Sequence, residues 1–173
     1  MQFVIETVVR TPIWVWALLA FLLFIGVRAL RPTTASFARL AILPLVFLAW
    51  GLSGFATTYG LRPVGVAIWI AALVVGAGFG WLLARSIAIR ADKERGLIRL
   101  PGNALSLVLI LLIFATKYTL GVLAGLRPTI TGELVYMAVD VGVSGLLTGL
   151  FAGRLFGLWR KYQAAPHENL AAR

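Results

Sequence analysis

The chain has 173 residues, 61% of them hydrophobic and only 13% charged, with a mean hydropathy of +0.95 and a formal net charge of +10. A soluble domain of this length needs more polar surface than that, so the bilayer is the expected solvent. The basic residues lie almost wholly between apolar runs, which excludes a nucleic-acid-binding face, and the absence of cysteine excludes disulfides, thiolate metal sites and cysteine nucleophiles.

Residues 1–10, MQFVIETVVR, mix apolar positions with Glu6 and Arg10 and suit a short interfacial helix. Thr11 is placed to cap a helix with Pro12 at its first position. The apolar run that follows, over residues 12–28, has its positive flank after it (Arg28, Arg31), so it reads as an uncleaved first span rather than a signal peptide. A second span covers about 40–57, with a mild kink expected at Pro44. Pro63 opens a third, about 63–84. Pro101 precedes a fourth, about 103–126, and a fifth covers about 133–159. Each is long enough to cross roughly 30 Å of hydrocarbon. Residues 162–173 read as a short disordered tail.

Residues 87–100, IAIRADKERGLIRL, alternate apolar and polar positions on both sides of a charged centre. Ile87 and Ile89 on one arm, with Ile98 and Leu100 on the other, predict a β-hairpin turning through Asp92 to Gly96. A helical extension of the third span is disfavoured by the glycine and the β-branched residues. The expected fold is therefore an all-α membrane protein. It has five transmembrane helices in a single domain over residues 1–161 and a cytoplasmic hairpin between helices three and four.

Loop charges set the expected orientation. Twelve basic residues fall on one side of the spans and three (Arg10, Arg62, Arg127) on the other, which puts the amino terminus outside and the carboxyl terminus in the cytoplasm. The hairpin's basic residues would then lie against anionic lipid headgroups. Tryptophans near span ends (Trp14, Trp16, Trp81, Trp159) fit an interfacial belt, whereas Trp50 and Trp69 sit deeper.

Two charges fall deep inside apolar helices: Lys117 in span four and Asp140 in span five. Lys117 is nine residues below Leu126 and Asp140 seven beyond Glu133. Those depths are about 13 and 10 Å, so an antiparallel hairpin can bring them together. A buried ion pair that fixes the register of the two spans is one reading. The other is an ion-handling site with Asp140 as titratable group and Lys117 as counter-charge, lined by Tyr136, Ser144 and Tyr118. Tyr136, Asp140, Ser144 and Thr148 share one helix face. Beside them run Gly145, Gly149, Gly153 and Gly157, a stripe that lets another helix backbone approach closely. Ala72, Gly76 and Gly80 in span three, and Gly121 and Gly125 in span four, form weaker versions. Intramolecular packing is the expected use of all three, and self-association the alternative. No nucleophile elbow, phosphate loop or metalloprotease motif occurs, and neither a cofactor nor a metal site is expected.

Three stretches carry a family resemblance. They are Thr11-Pro12-Ile13-Trp14-Val15-Trp16, Arg39-Leu40-Ala41-Ile42-Leu43-Pro44-Leu45, and Pro101-Gly102-Asn103 leading to Ile113-Phe114-Ala115-Thr116-Lys117-Tyr118. Together they resemble a family of small bacterial multi-pass membrane proteins known only as a domain of unknown function. A serine is associated with the step after Pro-Gly in that family, where this chain has Asn103. The resemblance implies a bacterial inner-membrane location and no known activity. The expected function is a non-enzymatic packing or assembly component, partnered by lipid and by itself or another membrane protein. A small transporter or ion-conducting subunit using Lys117 and Asp140 is the alternative.

Overall fold

The computed structural model describes residues 11–60 and 62–166, so the helix expected over residues 1–10 and the chain beyond 166 lie outside the described residues. The protein is mostly helical, with α1 (Ile13–Arg28), α2 (Phe37–Tyr59), α3 (Pro63–Arg85), α4 (Ala104–Leu126) and α5 (Leu134–Ala164). Three short strands, β1 (Thr33–Ser36), β2 (Arg90–Asp92) and β3 (Leu97–Leu100), and a 3-10 turn at Pro128–Gly132 complete the described elements. Among the described residues three stretches are long and apolar enough to cross a membrane: α3, Leu107–Leu126 of α4, and α5. Val15–Arg28 of α1 is a shorter apolar helix. The chain divides into two compact units, one joining Met1–Pro32 to Gly102–Thr131 and the other joining Thr33–Pro101 to Gly132–Arg173.

Local chemistry sets the helix ends. Ser36 caps α2 by accepting the Arg39 N–H at 3.4 Å, and Gly60 ends it in the left-handed conformation at φ 66°, donating to the Ala56 carbonyl. The helix continues through the buried Pro44. Pro63 occupies the first turn of α3, where its missing N–H costs nothing. At α1 the expected cap is corrected. Pro12 itself takes the cap position with ψ 142°, so the helix starts at Ile13 and no side chain caps it. Thr11 is then one residue too far upstream, and its hydroxyl is hydrogen-bonded to Tyr118 instead.

In the larger unit α3 and α5 run parallel at backbone-to-backbone distance. A Cβ built at Gly145, Gly149 or Gly153 would strike the carbonyl oxygen of Trp69, Leu73 or Ala77 in turn, and one at Gly157 would strike Ala84. The fit is reciprocal, because Gly76 and Gly80 of α3 face the Leu146 and Leu150 carbonyls. Small residues on both helices permit this approach, and dispersion between the two backbones rewards it. The α2 helix runs the opposite way. Phe37 at its start packs edge-on against Tyr162 at 4.9 Å, and Phe55 and Tyr59 at its end cluster with Met137 and Val141.

A three-stranded antiparallel sheet of order β1-β3-β2 sits at one end of these helices. The hairpin predicted over 87–100 supplies β2 and β3. Asp92 accepts the Arg95 N–H at 3.0 Å and Gly96 takes φ 64° to close the turn. The third strand, β1, was not expected, because four residues between two helices carry no periodic signal. It pairs with β3 in the register Thr33↔Leu100 to Ser36↔Leu97. The aligned row Ala35, Ile98 and Ala91 is buried at 6%, 0% and 1% exposure, and it packs through Ile98 onto Ala84, Ile87 and Leu158. α5 continues to Ala164, past the expected end near Trp159, because its last turns hold this sheet. Lys161 Nζ donates to the Arg85 and Ile87 carbonyls, each at 2.7 Å, and Lys93 Nζ donates to the Gln163 carbonyl.

In the smaller unit α1 and α4 are joined at several points. Gly102 lies directly against the Leu30 carbonyl, and the Asn103 N–H donates to the Ala29 carbonyl at 2.9 Å. The Pro-Gly-Asn step thus serves a close backbone crossing, which requires the glycine and uses the backbone of Asn103. Before the start of α1 the Thr11 and Tyr118 hydroxyls meet at 2.7 Å, and Tyr118 stacks on Phe114 with ring centroids 5.8 Å apart.

Candidate functional site

Asp140 lies on α5 with part of its surface exposed, two turns into the helix. Its Oδ2 accepts a hydrogen bond from the Tyr59 hydroxyl at 3.1 Å, linking the end of α2 to α5. Tyr59 is only 7% exposed, held by Phe55, Met137 and Val141 with Val66 and Trp69 packed alongside. Gly65 of α3 lets the Phe55 ring come close, since a Cβ there would strike it. A hydroxyl bonded to a carboxylate is worth about 1.5–3 kcal/mol, more than a bond between two neutral groups. This contact therefore anchors one helix to another.

One turn further, the Ser144 hydroxyl donates to the Asp140 carbonyl at 2.8 Å, and the Thr148 hydroxyl donates to the Ser144 carbonyl at 2.9 Å. Both protons return to the helix backbone, a common arrangement for hydroxyls in apolar helices. Thr148 is buried at 3% exposure, and beside it stands the Trp69 indole, whose buried Nε1 has no hydrogen-bond partner among the described residues. The polar seam so formed runs from Tyr59 and Asp140 through Ser144 to Thr148 and Trp69, between α2, α3 and α5.

Of the residues expected to form a site, Asp140, Ser144 and Tyr136 all lie on α5, with Tyr136 one turn before the carboxylate. Lys117 and Tyr118 lie on α4, and so belong to the other compact unit. Tyr118 is engaged there by Thr11. Tyr59 was missed. It stands two residues past the expected end of span two, so a depth count does not match it to Asp140, which the same count places about 10 Å inside span five. Trp69 is expected only to sit deep in its span, and nothing local marks its ring nitrogen as unusual. Arg154, grouped with the terminal basic residues in the loop count, sits inside α5 with the helix continuing to Ala164. Among the described residues no group of three or more His, Cys, Asp or Glu is placed to hold a metal ion.

Among the described residues the seam is a polar link between α2 and α5, made by the Tyr59–Asp140 bond and extended along α5 by Ser144 and Thr148. Comparison with known proteins finds a match to a family model over residues 1–167. The chain belongs to DUF6622, a family of unknown function. That bears out the resemblance to a domain of unknown function seen in the motifs. No curated protein and no solved structure matches the chain.

Proposed function

We propose that this protein is a non-enzymatic packing or assembly component of the bacterial inner membrane, with five spans, the amino terminus outside and the carboxyl terminus in the cytoplasm. Support for the span count comes from the larger unit. There α2 runs against α3 and α5, and α3 and α5 run parallel, so the chain between them must return across the same thickness. Charge supports the orientation. Arg39, Arg85, Arg90, Lys93, Arg95, Arg99, Arg160 and Lys161 lie on the sheet or on the helix turns next to it, and Arg62 lies at the opposite helix ends. A positive end of this kind faces the cytoplasm and its anionic headgroups. Arg85 over the Trp81 ring at 3.8 Å fits the interfacial level of that end.

The observation that carries the assembly role is the unequal use of glycine. The α5 stripe is filled by α3, whereas Gly121 and Gly125 of α4 have, among the described residues of their own unit, no heavy atom within 4 Å of a Cβ position. Such an open small-residue face suits a second helix, from another copy or another membrane protein. Disulfide crosslinking in native membranes tests it. Gly121→Cys and Gly125→Cys variants should give a crosslinked species while Gly149→Cys does not. Monomer throughout would remove the assembly reading.

The Asp140 seam favours a second reading, a small ion-handling subunit. In proteoliposomes Asp140→Asn would then abolish pH- or ion-dependent flux with the protein still folded. Absence of flux from the unsubstituted protein across a broad ion screen would dismiss it.

A further inference from the structure

We infer that the outward face of the three-stranded sheet binds the phosphate of one anionic phospholipid through Arg90 and Arg99, with Thr34 beside them. The strand register puts these three residues in a single row, Thr34 opposite Arg99 and Arg99 opposite Arg90. The next row, Ala35, Ile98 and Ala91, is buried, and side chains alternate between the two faces along a strand. All three residues of the first row are accordingly exposed. Directly paired positions hold their Cβ atoms about 4.5–5.5 Å apart, and like charges placed so destabilise a ladder. An anion held by both guanidinium groups offsets that repulsion. The acids nearest in sequence belong to the turn, where Asp92 is buried and accepts the Arg95 N–H at 3.0 Å.

Shape and depth select the ligand. Each guanidinium is a planar fork of donors that takes two phosphate oxygens at once. The sheet contacts α5 from Leu158, which clusters with Ile98, to Gln163, whose carbonyl accepts from Lys93. Five residues of helix are about 7.5 Å, which matches a headgroup layer of roughly 5–8 Å on each side of the hydrocarbon. At the same end Arg85 lies over the Trp81 ring at 3.8 Å and Trp159 is exposed, as interfacial anchors are. The anion at hand there is a lipid phosphodiester. A lipid without an ammonium group fits two arginines best, since a choline or ethanolamine headgroup would bring a cation against them. The inference rests on the reading that this basic end lies among headgroups. To that general attraction it adds a site of two arginines and one phosphate.

Native mass spectrometry of the full chain tests it, with equal phosphatidylglycerol and phosphatidylcholine in a nonionic detergent. The unsubstituted protein should retain one phosphatidylglycerol in preference to phosphatidylcholine. Arg90→Gln and Arg99→Gln should each lower that retention about tenfold or more, the loss of a charge-assisted bond. Arg99→Lys keeps the charge without the fork and should lower it too. Arg39→Gln and Arg160→Gln remove the same charge from the same end and should lower it about threefold or less. The double Arg90→Gln, Arg99→Gln variant should lose less than the product of the single losses, because both groups grip one phosphate. Equal losses at all four arginines, or multiplicative losses at the pair, overturn the site and leave the headgroup reading standing. No preference for phosphatidylglycerol in the unsubstituted protein overturns both, whatever the variants do. Displacement of the lipid by millimolar inorganic phosphate would reassign the pair to a soluble ligand, and that also overturns the inference.

Discussion

The α3–α5 interface and the α1–α4 pair use the same residue types to opposite ends. In the first, five glycines put one backbone against another along several turns (Gly76, Gly80, Gly145, Gly149 and Gly153) and Gly157 meets the Ala84 methyl, with no room left for a Cβ. In the second, a Cβ at Gly26 would strike the Leu107 side chain first, and the other contacts are Gly102–Leu30, Asn103–Ala29 and Thr11–Tyr118. A glycine stripe therefore has no fixed meaning by itself. It marks a seam when a second helix of matching small residues faces it, and an open flank when none does.

The sharpest way to break the comparison is substitution along the two stripes. Gly149→Leu should cost about 3 kcal/mol or more, because backbone atoms cannot move aside as side chains do, and it should abolish accumulation of folded protein. Gly121→Leu and Gly125→Leu should change stability by no more than about 0.5 kcal/mol. Thermal unfolding in detergent checks both, and equal losses at the two stripes would erase the distinction. Next in size is Tyr59→Phe, which removes the hydroxyl that binds Asp140 and should cost about 1.5–3 kcal/mol. Asp140→Asn keeps an acceptor for that hydroxyl and should cost less; a larger loss for the amide would show that the carboxylate's charge has further partners that matter. Smallest is Tyr118→Phe, which removes the tie between the start of α1 and the middle of α4. A bond between neutral hydroxyls predicts a loss of about 0.5–1.5 kcal/mol, read as faster hydrogen exchange in the first turn of α1.

Much of the architecture was legible because its causes are local. Pro63 starts a helix and Asp92 with Gly96 turns the hairpin, each through chemistry confined to a few neighbours, whereas the Ser36 cap and the Gly60 ending, as local as these, extend α2 beyond the expected 40–57. Less of the site could be read. Asp140 announced itself as a carboxylate in an apolar run, whereas Tyr59 sits at a helix end where a tyrosine passes for an interfacial anchor. Thr11 misled for a similar reason, since Thr-Pro before an apolar run signals a cap unless the proline takes the cap position itself.

By itself the sequence determined the helices, their order, the basic end and the turn of the hairpin. Periodicity, proline, glycine and charge act over one or two turns and need no partner to be read. Only the tertiary structure decided that α3 fills the α5 stripe, that β1 joins the hairpin as a third strand, and that Tyr59 meets Asp140. Among helices as apolar as the medium around them, no difference in hydrophobicity selects which faces meet. That choice falls to shape and to a few polar atoms distant in the chain.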